Sequence, residues 1–282
     1  MNGRSVLKTI PLRVTVLPGL APKIRFVLFA LFLIQFTLVW WNLWSPFPGF
    51  GNARWPNGLL LMLTAATVLA SLTCQLPLQN VMFASVIIAA VAGAVQTLGA
   101  MTAIPFGPYV YMDAIGQRLF EPLPLPWTVP FIWIIAISCA RGVGRLILRP
   151  WRKTRSYGFW LMGLTVALIV LFDLGLEPFA TQVKKFWFWA PTRAGIYWYS
   201  TPWVNFFAWA GTGLLILAFA TPTLINKKPV SQPPDFHPLI IWLLVSLLFA
   251  TGAIANRLWA AAAVIVAHSL ITAIFAVRGA AW

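Results

Sequence analysis

Long apolar runs separated by short polar gaps organise this chain from end to end. With about 20 apolar residues needed to cross the hydrocarbon of a bilayer, eight runs qualify, near 26–44, 57–75, 80–99, 127–147, 158–176, 202–221, 238–255 and 258–277. The pattern predicts an all-α, polytopic membrane helix bundle with about eight transmembrane helices. Only Asn256 and Arg257 separate the last two runs, which predicts a tight helical hairpin. The fourth run is the least sharply bounded, because Pro130 lies at one end and Arg141 and Arg145 at the other. The first begins near Phe26 and continues to about Trp44, longer than the apolar core of a cleavable signal, so no such signal is expected. No internal repeat or low-complexity linker divides the chain, and residues 1–282 read as one integral membrane domain.

Two segments break the pattern. Residues 104–130 hold Pro105, Pro108, Pro122, Pro124, Pro126 and Pro130 together with Gly107 and Gly116, and so cannot form a simple spanning helix. Their moderate hydrophobicity predicts a re-entrant or interfacial element, in which Tyr109, Tyr111 and Asp113 alternate. Residues 186–209 carry eleven aromatics in twenty-four positions, including Trp187, Trp189, Tyr197, Trp198, Tyr199, Trp203 and Trp209. Interfacial anchoring accounts for part of this cluster. Such density also suits a flat, extended, electron-rich hydrocarbon ligand, or a cationic intermediate held over aromatic faces. Asn205, just inside the sixth run, reads as a helix cap or a water ligand.

Composition sharpens the class. Hydrophobic residues make up 60% of the chain and charged residues 9%, against about 25% charged in soluble domains, so the chain is read as an integral membrane protein partnered by lipid. The net charge of +15 does not point to nucleic acid, because the basic residues cluster in the gaps between apolar runs. With eight spans and a cytoplasmic N-terminus, 14 basic residues fall on the cytoplasmic side against 6 opposite. That orientation, expected for a bacterial inner membrane, sets residues 100–126 and 177–201 on one shared face. Cys74 and Cys139 read as small buried hydrophobes rather than metal or disulfide residues. His237 reads as a surface residue, and His268, mid-span, as a helix-to-helix hydrogen bond.

The scarce acids carry the chemistry. Only five serve the whole chain, and thirteen uncharged residues beginning at Trp160 lead to Asp173, with Glu177 four residues on. Residues at i and i+4 share a helix face, and an acid within a membrane span is a candidate functional group because burying its charge is costly. A structural ion pair between Asp173 and Arg193 or Lys184 is the plainer alternative. For Asp113 the plainer alternative is a solvated helix cap.

The strings PFGPYVYMDAIGQRLF and PLPWTVPFIW, followed by LIVLFDLGLEPFA, FWFW and IYWYSTPWVNFFAW, resemble two blocks of the carotenoid biosynthesis protein family, over roughly residues 80–222. That family includes carotenoid hydratases of the bisanhydrobacterioruberin and γ-carotene 1′,2′ type. The resemblance implies a carotenoid substrate or pigment and water addition, without a cofactor or metal, across the terminal C1–C2 double bond of a linear carotenoid. Such an addition needs protonation at C2, a tertiary cation at C1 and capture by water, and a carboxylic acid kept neutral by its surroundings suits the first step. On this reading Asp173 or Glu177 is the acid, and Asp113 and Tyr111 place or deprotonate the water. Tyr109, Trp187, Trp189, Tyr197, Trp203, Asn205 and Trp209 bind the hydrocarbon. The chain departs from the family pattern at Gln96, where an acid is expected, and at Glu177, where the expected acid is Asp. A non-catalytic carotenoid-binding subunit of a larger membrane assembly is therefore the alternative reading. A proton-relaying transporter ranks behind both, because no inverted repeat is visible.

Overall fold

The computed structural model describes residues 19–47, 55–191, 195–225 and 233–282. Eight helices are each long and apolar enough to cross a membrane: α1 (Leu20–Trp41), α2 (Trp55–Thr73), α3 (Leu78–Thr102), α4 (Val129–Ile147), α5 (Tyr157–Pro178), α6 (Trp203–Ala220), α7 (His237–Ala255) and α8 (Trp259–Ala280). The protein is an all-α integral membrane bundle, as the apolar runs predict. Its outer surface carries large side chains such as Phe26, Phe159, Phe207 and Phe275, which suit a hydrocarbon solvent.

The fourth helix, blurred in the sequence, is the central one. It packs against α2, α3, α5, α7 and α8, and buries Trp133, Ile135, Ile137, Ala140 and Val143. Pro130 falls in its first turn, where the missing N–H would have had no helical acceptor. At the other end Arg141 Nη2 donates to the Leu224 carbonyl at 3.0 Å, and Arg145 Nη1 donates to Gln75 Oε1 at 2.7 Å. The residues that obscure the ends of this helix in the sequence are the ones that anchor it.

Polar contacts of this kind fix helix neighbours where lipid supplies little hydrophobic drive. Asp235, ahead of α7, accepts from Ser71 and Gln75 at the end of α2 and from the His237 backbone N–H, and its Oδ1 lies 2.7 Å from His237 Nδ1. Burial alone would raise the Asp235 carboxyl, but the bonds from His237 and Ser71 outweigh it and hold it at about 2. His237 is thus half-buried and engaged by Asp235 rather than a surface residue. His268 also departs from expectation. Both its ring nitrogens lack a hydrogen-bond partner, and the ring sits edge-on to Trp242 at 6.3 Å, so it packs instead of bridging helices. The hairpin between α7 and α8 is as tight as predicted, with Arg257 at φ 59° and Asn256 Nδ2 donating to the Gly252 carbonyl.

The two irregular segments interlock. Strand β1 (Tyr109–Tyr111) pairs antiparallel with β2 (Trp187–Trp189), setting Tyr109 opposite Trp189 and Tyr111 opposite Trp187. Side chains alternate across a strand, so these four rings turn inward while Val110 and Phe188 face out. A second ribbon joins β3 (Tyr197–Trp198) to β4 (Thr201–Pro202), directly ahead of α6. The ribbons sit over the ends of α3, α5 and α6. Phe106 lies against Gly99 of α3, Trp198 Nε1 donates to the Leu174 carbonyl of α5, and Gly107, at φ 102°, lies against Pro202 and Val204. Helical pattern alone does not reveal this β pairing, because each strand is only two or three residues long.

Close backbone approach between α8 and α4 depends on Gly279. A Cβ there would overlap the Leu146 carbonyl oxygen and lie 2.6 Å from the Ile147 carbonyl oxygen. Backbone atoms cannot rotate away as a side chain can, so Gly279→Ala is expected to cost about 1–3 kcal/mol. A lowered unfolding midpoint in detergent checks this; an unchanged midpoint would mean that the helices separate there without cost.

Candidate active site

The last two turns of α5 present Asp173 and Glu177 on one face, both buried. Asn205, in the first turn of α6, spans them: its Nδ2 donates to Asp173 Oδ2 at 2.7 Å and to Glu177 Oε1 at 3.2 Å. It does not cap its helix. Pro202 occupies the N-cap position, and the Asn205 amide is turned toward the two carboxyls, whose buried oxygens need its hydrogens.

Glu177 Oε2 collects three further donors, Trp187 Nε1 at 3.1 Å, Trp189 Nε1 at 2.9 Å and Thr201 Oγ1 at 2.8 Å. The two indoles converge because residues two apart on β2 share a face. Four donors on one carboxyl suit the charge it carries once its proton has left, and among the described residues no cation shares that task. Asp173 is placed otherwise. Its Oδ2 has Asn205, its Oδ1 has no hydrogen-bond partner, and among the described residues no basic side chain pairs with it. The ion pair with Lys184 is not formed; that ammonium lies 5.9 Å above the Phe179 ring. Arg193 lies outside the described residues.

Opposite the acids, Tyr109 and Tyr111 hydroxyls lie 2.8 and 2.9 Å from Gln96 Oε1. Burial chiefly pushes both phenols well above their ordinary range, and the nearby Glu177 adds to the shift in each. They therefore hold their protons across the working pH range.

Between these groups is a cavity of about 30 Å³, whose polar lining is Gln96, Tyr109, Tyr111, Glu177 and Asn205. Phe106, Trp133, Trp187, Trp189 and Trp209 supply most of its aromatic wall, with Trp133 and Trp209 stacked at 4.1 Å. A water molecule needs about 10–15 Å³ by the same measure, so the space holds roughly two.

Of the residues predicted from sequence, Glu177, Tyr109, Tyr111, Trp187, Trp189, Asn205 and Trp209 line this cavity, and Asp173 stands behind Asn205. Three are not brought into it. Asp113 is exposed at the short 3-10 turn Asp113–Ile115, beyond the inward-facing part of β1. Tyr197 sits in β3, and Trp203 is 39% exposed with its ring against Phe206. Sequence reasoning missed Thr201, Phe106 and Trp133. Only the position of Thr201 beside Pro202, at the start of the sixth apolar run, could have drawn attention to it.

Two outcomes test this geometry. Glu177→Ala would leave two indole N–H groups and the Thr201 hydroxyl without their acceptor, at a cost of about 3 kcal/mol or more. The checks are a lowered unfolding midpoint and altered tryptophan fluorescence, and an unperturbed variant would contradict the bonding described. The second concerns pH. A phenol raised in the folded state adds stability below the ordinary tyrosine value of 10, and that stability is lost as pH rises, because the unfolded chain ionises first. The midpoint should fall above about pH 10, and fall less steeply in Tyr109→Phe/Tyr111→Phe. An equal slope in that variant would show that the phenols ionise normally.

The family description "carotenoid biosynthesis protein" fits residues 57–274, from the first turns of α2 into the last turns of α8, with all of the cavity residues inside it. No curated protein and no solved structure matches the chain. The chain belongs to the carotenoid biosynthesis protein family, and its role lies in carotenoid biosynthesis.

Proposed function

We propose that the protein is a cofactor-independent hydratase acting on the terminal C1–C2 double bond of a linear carotenoid. The observation that carries this reading is the pair of buried carboxyls joined through Asn205 beside a water-sized, aromatic-walled cavity. Of the two acids Glu177 lines the cavity, so it is assigned the proton transfer to C2. The double-bond electrons form the new C2–H bond, and the positive charge appears at C1. The carboxylate left behind is already met by Asn205, Trp187, Trp189 and Thr201, donors aimed where charge develops. The aromatic wall stabilises the cation through its π faces. Water then bonds to C1 and its surplus proton returns to the carboxylate, so the sum of the steps is the addition of one water. Tyr111 and Tyr109, whose hydroxyl hydrogens go to Gln96 Oε1, orient that water by accepting from it through their oxygens. Asp173 acts through Asn205 as a positioning residue and holds the amide in its bridging orientation.

The orientation proposed for the bundle, in a bacterial inner membrane, has the N-terminus and the basic ends of α4 and α8 cytoplasmic and the carboxyl site toward the other face. One observation favours a second reading. Gln96, a neutral amide where relatives are expected to carry an acid, is engaged by both phenols. A protein that holds a carotenoid without turnover would tolerate that substitution.

Membranes containing the full chain and a linear carotene should accumulate a product heavier by one water. Glu177→Gln is expected to reduce conversion about a hundredfold or more, and Asp173→Asn to reduce it strongly, with both variants inserted at normal levels. Conversion at the full rate in Glu177→Gln would remove it as the acid. Unchanged carotene co-purifying with the wild-type protein would favour the binding subunit.

A further inference from the structure

At the opposite end of the bundle is a cavity of about 590 Å³ between α2, α4, α5, α6 and α7. Among the described residues its lining holds the basic side chains Arg141, Arg145, Arg149, Arg152 and Lys153 and the carboxylate Asp235. Arg141, Arg145 and Arg149 recur every four residues, which stacks them along one side of α4 and the turn that follows. Like charges at this spacing repel one another. The cation set against Asp235 is Arg25, 4.0 Å from its Oδ1, and its oxygens otherwise accept from Ser71, Gln75 and His237. Among the described residues Arg141 and Arg145 bond to neutral acceptors, the Leu224 carbonyl and Gln75 Oε1. Simple interfacial anchors reach out to water, whereas Arg141 is buried, with 8% of its surface exposed. The rest of the lining is apolar and includes Leu72, Leu161, Met162 and Leu217. A cationic cavity with apolar helical walls matches an amphiphile that carries an oxyanion with several acceptor oxygens.

We propose that this cavity binds the phosphate group of an anionic phospholipid, with the guanidinium groups on the phosphate oxygens and the start of the acyl chains along the apolar wall. Guanidinium forks suit phosphate oxygens in both charge and geometry, and basic pockets between membrane helices are a known mode of headgroup recognition. The site is separate from the carboxyl cavity, and its test does not depend on turnover.

The experiment uses the full chain in phosphatidylcholine-containing micelles, with unfolding followed by tryptophan fluorescence. Titration with phosphatidylglycerol should raise the midpoint saturably, whereas additional phosphatidylcholine should not. Arg152→Gln/Lys153→Gln alters only exposed side chains and leaves the Arg141 and Arg145 bonds intact; it should weaken the apparent affinity about tenfold. Arg145→Lys keeps the charge but loses the fork, and should weaken it as well. Arg118→Gln, exposed at the other end of the bundle, should leave it unchanged. If inorganic phosphate alone reproduces the shift and competes with the lipid, the site stands with free phosphate as its occupant. Equal response to the two lipids, or undiminished affinity in both cavity variants, would overturn the proposal.

Discussion

Two carboxyl groups, met by no cation among the described residues and held inside an apolar bundle, set the terms for everything built around them. Buried acceptors left unsatisfied cost more than most single contacts return, so donors must be delivered to Glu177 from outside its own helix. The chain delivers them from two places, the indoles of β2 and the Thr201–Asn205 stretch that opens α6. The ribbon, the irregular segment folded against it and the register of α6 on α5 all follow from that requirement. The same donors give the site its chemistry, since an array that holds a carboxylate in a dry setting also holds one just after it has lost a proton.

The molecule is polar end to end in a way that its composition conceals. Indole, phenol and amide groups manage the acids at one end, and guanidinium groups gather around a large cavity at the other. Helix α4 runs between them, with Trp133 in the wall of the first cavity and Arg141 and Arg145 in the lining of the second. It is also the most enclosed helix of the bundle. Movement of α4 along its axis would therefore alter both sites together.

The helices were legible because a membrane demands continuous apolar runs, a signal that needs no knowledge of neighbours. Asp173 and Glu177 were legible for the complementary reason, since charge stands out against such a background. Trp187 and Trp189 could be picked out by density, but not the partner that they share. That depends on the pairing of β1 with β2, strands of three residues each, which leave no periodic trace. Asp113 was misplaced because alternation with Tyr109 and Tyr111 suggested a common face, whereas the strand ends at Tyr111 and the chain turns into a 3-10 segment. Asn205 looked like a helix cap because its sequence position allows one; only its distance to the acids reveals the other use of its amide. Thr201 is an ordinary residue made important by position alone.

The Asn205 bridge has a consequence of parity. One nitrogen offers two hydrogens to two acceptors, and the count closes only while both partners remain carboxyls. Converting Glu177 to its amide sets an NH₂ group against either the Asn205 amide or the three donors on Oε2, and the acid oxygen left without a partner among the described residues is Asp173 Oδ1, so the bonds must be redrawn around both acids. The two acids are thus coupled by arithmetic as well as by proximity, and an isosteric change at either reports on the pair rather than on one member.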